Sequence, residues 1–230
     1  MSAWLCRRLC LVLAVSVCLT QVPLDAADAK HVLVVVGPSN HAPGTHEVGA
    51  GGRLIADCLK HAENVDGIEA EVVTAWPSDA AVRDRTDTIV FIGDRFPGEE
   101  LPNRDRIMAD LTKMMDRGCG IVCVHYATGL GAHHVQPDGE HPLLYWMGGY
   151  FATQCAHHQS IAKIFTATIE PGAAEHPICR GWKTFTLHDE PYIKNYFGKD
   201  GLAANVTPIA TSLLPPEAPQ REVVSWAVSR

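Results

Sequence analysis

Short apolar runs alternate with amphipathic stretches along the first half of the chain, and this rhythm predicts its elements. His31 to Val36 is an apolar run too short for a helix and reads as a buried strand closed by Gly37-Pro38. Val48 to His61 reads as a helix with Leu54, Ile55, Cys58 and Leu59 on its inward face. Ile68 to Ala75 alternates as a second strand, Asp79 to Asp87 is a short polar helix or turn, and Thr88 to Ile92 is a third buried strand ending in Gly93-Asp94. Asn103 to Arg117 is an amphipathic helix with Ile107, Leu111, Met114 and Met115 inward. Ile121 to Val124 follows as a strand expected to be buried on both faces of a parallel sheet.

After Gly129 the pattern changes. Gly131 to Gly139 reads as loop, Pro142 to Met147 as a helical turn, and Ile161 to Ile169 as an edge or antiparallel strand. His176-Pro177-Ile178 opens a turn, and Phe185 to His188 is extended. Thr207 to Leu213 and Val223 to Trp226 form two last strands around the proline-rich turn Leu214 to Pro219. The expected fold is a doubly wound, mostly parallel α/β sheet in three layers, with antiparallel strands toward the C-terminus.

Upstream of this pattern, Arg7-Arg8, the apolar stretch Leu9 to Leu19 and the small-x-small Ala27-Asp28-Ala29 read as a cleaved signal peptide. The expectation is a mature domain over residues 30–230 that is secreted or periplasmic, with no stable membrane insertion after cleavage. Net charge is −7 with no run of Lys or Arg, which argues against nucleic acid as partner. Cys58, Cys119, Cys123, Cys155 and Cys179 are odd in number and scattered, with no CxxC, so apolar filling is expected rather than a disulfide framework; Cys155–Cys179 is the one bridge considered.

Ligands bind open α/β sheets at the carboxyl ends of the strands, and His125 stands where its strand runs out. The loop after the first strand should meet it there. That loop supplies His41, His46 and Glu47, a donor set suited to zinc or a similar divalent metal. A solvated loop with incidental histidines is the alternative. His188-Asp189-Glu190-Pro191-Tyr192 can supply a general acid or base and a substrate clamp, or merely a turn held by Asp189. His133-His134 and His157-His158 are adjacent pairs whose side chains diverge, so at most one of each should point inward, and three of the four are expected at the surface. Cys123 lies inside its strand between valines and cannot be an elbow nucleophile, while GxSxG, Walker A and GxGxxG motifs are all missing.

The segments Gly37 to His41, Gly44 to Glu47, Cys123 to Tyr126, Gly148 to Phe151, His176 to Gly181 and Asp189 to Tyr192 together resemble the ThuA-like family, named for trehalose utilisation, within the glutamine-amidotransferase-like superfamily. The resemblance spans residues 31–230 and implies a flavodoxin-like sheet with His125 at the place of the amidotransferase cysteine, hence not a cysteine amidotransferase. It implies a role in carbohydrate metabolism, with a sugar or keto-glycoside as small-molecule partner and hydrolysis, elimination or isomerisation as the reaction. On that reading His125, Glu190 and Tyr192 are catalytic, Tyr126, Asp189 and His176 bind substrate, and His41, His46 and Glu47 bind substrate or metal. Pro191 and the Asn40/Ala42 loop depart from the family's usual motifs, and the chain is expected to be shortened after Ser225-Trp226 relative to it. The rival reading is therefore a non-catalytic carbohydrate-binding or degenerate module. Homo-oligomerisation stays open.

Overall fold

The computed structural model describes residues 29–230; the charged and apolar stretches that carry the leader reading, within residues 1–28, lie outside the described residues. Four parallel strands, β1 (Lys30–Val36), β2 (Ile68–Val73), β3 (Thr88–Ile92) and β4 (Gly120–Val124), form one sheet in the order β2-β1-β3-β4. Strand order reverses between β1 and β3, the switch point at which flavodoxin-like sheets open a crevice for ligands.

Alternate side chains of these strands feed opposite faces. Leu33, Val35, Ile89 and Phe91 pack under Ile107, Leu111, Met114 and Met115 of helix α4 (Arg104–Asp116). Val34, Ala70 and Val90 pack under Ala56 of helix α1 (Val48–Lys60). The result is the three-layer α/β arrangement that the apolar rhythm predicts. A Leu or Phe buried in such a core contributes roughly 1.5–3 kcal/mol.

Helix α1 is rotated from its expected face. Leu54 is 63 % exposed and Cys58 is exposed, while Gly52 and Ala56 are buried and Ile55 and Leu59 are half-buried. The cause is Gly52, where an added Cβ would lie 2.6 Å from Val36 Cγ2. The helix therefore seats its smallest side chains on the sheet rather than its bulkiest.

Strand β4 also departs from expectation. It pairs with β3 alone and is the edge of the sheet, its residues are half-buried, and Val122 is 43 % exposed. An apolar run specifies burial only where a neighbouring element covers it.

Between the helices α2 (Ala80–Arg85) and α4 lies the short α3 (Pro97–Glu100). Beyond β4 the backbone enters a 3-10 turn (His125–Thr128), then β5 (Gly129–Gly131), which pairs with β6 (Phe151–Thr153) on either side of α5 (Pro142–Met147). The remaining strands make a separate antiparallel sheet, ordered β10-β9-β7-β8, from β7 (Phe165–Pro171), β8 (Phe185–Asp189), β9 (Val206–Leu214) and β10 (Gln220–Val228). Its core is Phe165, Ala167, Ile169, Ile193, Ala210 and Leu214. Trp226 Nε1 donates to the Met147 carbonyl at 2.7 Å, tying this sheet to α5. All five described cysteines are free, so no Cys155–Cys179 bridge forms; both are buried. No described helix is long and apolar enough to cross a membrane.

Candidate functional site

The loops leaving β1, β3 and β4 meet at the carboxyl edge of the parallel sheet. Gly37 and Gly93 bring the first two together: a Cβ on Gly93 would stand 3.2 Å from Gly37 Cα. Across this junction Asp94 collects four hydrogen-bond partners. The Asn40 N–H donates to Oδ2 at 2.5 Å, His41 Nδ1 lies 2.8 Å from Oδ2, and His46 Nδ1 lies 3.1 Å from Oδ1. Ser39 adds a further bond to this carboxylate. Burial opposes ionisation of Asp94, but these bonds outweigh it and hold its carboxyl below the ordinary range. With both Nδ1 atoms turned to the carboxylate, Asp94 fixes the tautomer of two imidazoles whose centroids are 3.9 Å apart.

His125 opens the turn after β4 with φ +53°, a left-handed conformation that is uncommon for a side-chain-bearing residue. Such strain costs on the order of 1–3 kcal/mol and clusters at functional sites. Its ring stacks on Tyr192 at 4.3 Å and meets His46 edge-on at 5.1 Å. The Tyr192 hydroxyl faces Nδ1 at 3.3 Å, while Nε2 faces the Glu190 carbonyl at 3.4 Å and Glu190 Oε2 at 3.9 Å. These contacts favour the tautomer with the proton on Nε2 and the lone pair on Nδ1. Crowding by neighbouring groups disfavours the charged imidazolium, and the Glu190 backbone bond only partly offsets this, so the His125 pKa lies below its usual value. Tyr192 is buried and its hydroxyl is pushed well above the ordinary range, first by burial and then by the Glu190 charge. Tyr126 completes the wall, 5.4 Å from Tyr192 and 6.2 Å from His46.

The structure thus brings His41, His46, His125, Tyr126, Glu190 and Tyr192 into one contiguous cluster, in which His41 and Tyr126 line a polar hollow beside Asp94 and His125, Glu190 and Tyr192 line a separate cavity, with His46 packed between them. Glu47 is not part of it. Its Oε1 accepts the Gly44 N–H at 2.7 Å and closes the loop on itself, and the side chain is exposed. His176 also stands apart, its Nδ1 accepting the Ile178 N–H at 3.2 Å as the cap of a 3-10 turn. Asp189 accepts the Glu190 N–H at 2.8 Å and so holds the turn while lining the cavity beyond His125.

The residue that sequence reasoning missed is Asp94. Its signal was the Gly-Asp that follows the buried strand β3, where Asp94 stands two residues beyond Ile92 at the same carboxyl edge that His125 reaches one residue beyond Val124 of β4. Two imidazoles and a carboxylate in this order fit a divalent metal held through the histidines, with Asp94 orienting them. His46, His125 and Glu190 likewise offer ligand atoms within 4.8 Å of one another.

A third such group, Glu100, His133 and His134, does not fit a metal. His134 Nδ1 accepts the Gly131 N–H at 3.1 Å, so Nε2 must carry the proton, and it points at Glu100 Oε1 3.6 Å away. A metal on Nε2 would leave that ring without a proton. Burial and then the neighbouring His133 bring the His134 pKa down to about 4, in keeping with a neutral ring. Of the other pair, His157 bonds the Tyr150 hydroxyl at 2.8 Å and His158 bonds the Lys194 carbonyl at 2.6 Å. Three of these four histidines are therefore held by named partners, more than diverging loop side chains suggested.

Beside Asp94 a polar hollow of 250 Å³ is lined by Asn40, His41, Arg95, Glu100 and Tyr126. Glu100 Oε1 is buried there without a hydrogen bond to any described residue, with Arg95 Nη1 3.7 Å away.

Among solved structures, a ThuA-like protein from Bacteroides uniformis ATCC 8492 matches with a TM-score of 0.60 over 90 % of this chain and 81 % of its own, at 15 % identity. That likeness shows the ThuA-like fold. No protein-family model matches the chain, and no curated protein does.

Proposed function

We propose that the protein is an enzyme that takes a proton from carbon beside the carbonyl of an oxidised sugar, the step that elimination and isomerisation of keto-glycosides share. One observation carries this reading: a strained His125, stacked on Tyr192 and backed by Glu190, meets the Asp94-anchored pair His41 and His46 at the carboxyl edge of the sheet. Proton transfer by a positioned imidazole contributes about 10²–10⁴-fold. His125 takes the proton at Nδ1, and the Tyr192 hydroxyl that faces this atom is free to turn to a substrate oxygen. The two histidines on Asp94 stabilise the charge that develops on the carbonyl oxygen, directly or through a metal they would hold.

The sugar part of the assignment rests on two supports. The sequence motifs resemble a family of carbohydrate metabolism, and the neighbouring hollow is lined by the polar side chains of Asn40, Arg95 and Glu100, groups of the kind that bind sugar hydroxyls. Export to the periplasm or beyond belongs to the same proposal and rests on the leader-like residues alone.

The test is exchange of deuterium from D2O into 3-keto-glycosides next to the carbonyl, followed by NMR. Exchange by the native protein, lost in His125→Ala, supports the reading. Binding of the keto-glycoside with no exchange and no turnover replaces it with a carbohydrate-binding module.

A further inference from the structure

Three side chains of the cluster lie together although they come from separate segments. His46 belongs to the loop after β1, His125 follows β4 and Glu190 follows β8, and each offers a ligand atom within 4.8 Å of the other two. His125 Nε2 stands 3.9 Å from Glu190 Oε2. A tetrahedral zinc ion with its usual bond lengths holds such atoms about 3.4 Å apart, so this pair closes on an ion by moving about half an ångström. Two imidazoles and one carboxylate are a sufficient protein donor set for zinc, with a fourth position left to water. The set is open to solvent, because His125 and Glu190 line the 370 Å³ cavity beside β4 and their side chains are 40 % and 29 % exposed.

The protons can be placed to suit an ion. His46 Nδ1–H is turned to Asp94 at 3.1 Å, which leaves the lone pair on Nε2. His125 Nδ1 faces the Tyr192 hydroxyl at 3.3 Å, and a hydroxyl accepts as well as donates. The ring proton can therefore sit on Nδ1, bonded to the Tyr192 oxygen, at the loss of only the 3.4 Å contact from Nε2 to the Glu190 carbonyl. His134 lacks this freedom, since the Gly131 N–H fixes the lone pair on its Nδ1. An acceptor behind each ligating imidazole is the usual support of a metal site, and Asp94 and Tyr192 supply the two here.

We propose that His46, His125 and Glu190 form a site for a divalent transition metal, zinc by its donor set, whose occupancy blocks proton transfer at His125. An ion on Nε2 requires the single proton of the neutral ring to pass through solvent to Nδ1. The lone pair that takes the substrate proton is then lost. The ion also claims His46, one of the pair on Asp94 that steadies charge on the carbonyl oxygen. The block rests on the proposed reaction; the metal site itself does not.

The probe is Co(II), titrated into chelator-treated native protein and followed by its visible absorption, with zinc displacing it and magnesium failing to do so. Glu190→Gln, checked as folded by circular dichroism, should weaken cobalt binding by at least about 100-fold, because a lost ligand costs at least as much as a lost supporting partner. Tyr192→Phe should weaken it by about tenfold. His41→Ala, outside the set, should change it by no more than about twofold. Binding lost in His41→Ala and kept in Glu190→Gln would move the ion to the His41–His46 pair and overturn the site, as would absence of cobalt binding to the folded native protein. One equivalent of zinc should stop deuterium exchange into the keto-glycoside, and exchange undiminished with zinc bound through Glu190 would overturn the block. The two readings fail separately: cobalt binding that depends on Glu190, in a protein with no exchange activity when metal-free, sinks the proposed reaction and leaves the site.

Discussion

Two carboxylate–imidazole clusters lie within a few residues of each other in this chain and have opposite characters. Under α3, Glu99 is fully buried; His141 Nε2 donates to its Oε1 at 2.8 Å, and Arg104 closes both oxygens with Nε and with Nη2 at 3.1 Å. His141 Nδ1 accepts the Leu143 N–H, so every polar atom of this ring has a partner. At the sheet edge, His41 and His125 are 42 % and 40 % exposed at the side chain, and His125 is held by long contacts on a strained backbone. The same chemical groups are therefore used in two ways. Where all valences are met and water is kept out, the cluster fixes the fold; where an imidazole is left reachable and backbone strain is maintained around it, the cluster can do chemistry.

The sharpest way to break this contrast is at His125. His125→Ala should lower activity by about 10²–10⁴-fold with little change in Tm, measured by the exchange assay and by calorimetry. His125→Gly should lose as much activity yet melt higher, because glycine adopts a positive φ without the cost of roughly 1 kcal/mol or more that a side chain incurs. A large fall in Tm for both variants would place His125 with the structural cluster.

His141→Ala should show the reverse. It leaves the buried Glu99 carboxylate with Arg104 alone and should destabilise by about 3 kcal/mol, read from denaturant unfolding. The same cluster sets an acid limit. Burial alone would raise the Glu99 pKa, but the bonds from His141 and Arg104 outweigh it and bring it down to about 2 from 4.5. A carboxyl whose pKa is lowered by folding stabilises the protein fully above its unfolded value and loses that stabilisation as pH falls toward its folded value. Stability should therefore decline between pH 4.5 and about 2, by on the order of 3 kcal/mol from this group. Equilibrium unfolding of native protein and Glu99→Gln across that range checks the sign, since the variant should start lower and fall less steeply.

Asp94→Asn tests the open cluster at its anchor. An amide can accept one Nδ1–H but presents a donor toward the other histidine, so one imidazole loses its orientation. Activity should drop by about 10–100-fold, and any stoichiometric zinc found by elemental analysis of the native protein should fall with it.

How much of this was legible beforehand follows from the same contrast. The layers, the strand rhythm and the position of His125 could be read because they depend on local patterns: apolar runs of four to seven residues, glycines at their ends, and the rule that ligands gather at carboxyl edges. Features set by distant contacts escaped. The turn of α1 depends on Gly52 meeting Val36, and the exposure of β4 depends on which element lies beside its free edge. Asp94 was visible as a residue but not as an anchor, because its partners come from a loop more than forty residues earlier. Glu99, His141 and Arg104 carry no local signature at all, since Glu99 and His141 are 42 positions apart and meet only after folding.

Glu47 gives the smallest effect and the finest discrimination. Sequence spacing groups it with His41 and His46, whereas in the fold its carboxylate bonds the Gly44 N–H and shapes only the loop that carries those histidines. Glu47→Gln keeps an acceptor at the same place and should change activity less than twofold and stability by under about 0.5 kcal/mol, the usual range for an exposed substitution away from special features. Glu47→Ala removes that bond and should cost no more than about 1 kcal/mol, with a modest rise in KM if the loop loosens and kcat unchanged. If Glu47→Gln instead cost kcat as much as Asp94→Asn does, the loop would have to reorganise on binding substrate so that Glu47 replaces Asp94 beside the histidines. The contrast drawn above would then concern one state of the site only, with the resting loop a closed form of the same cluster.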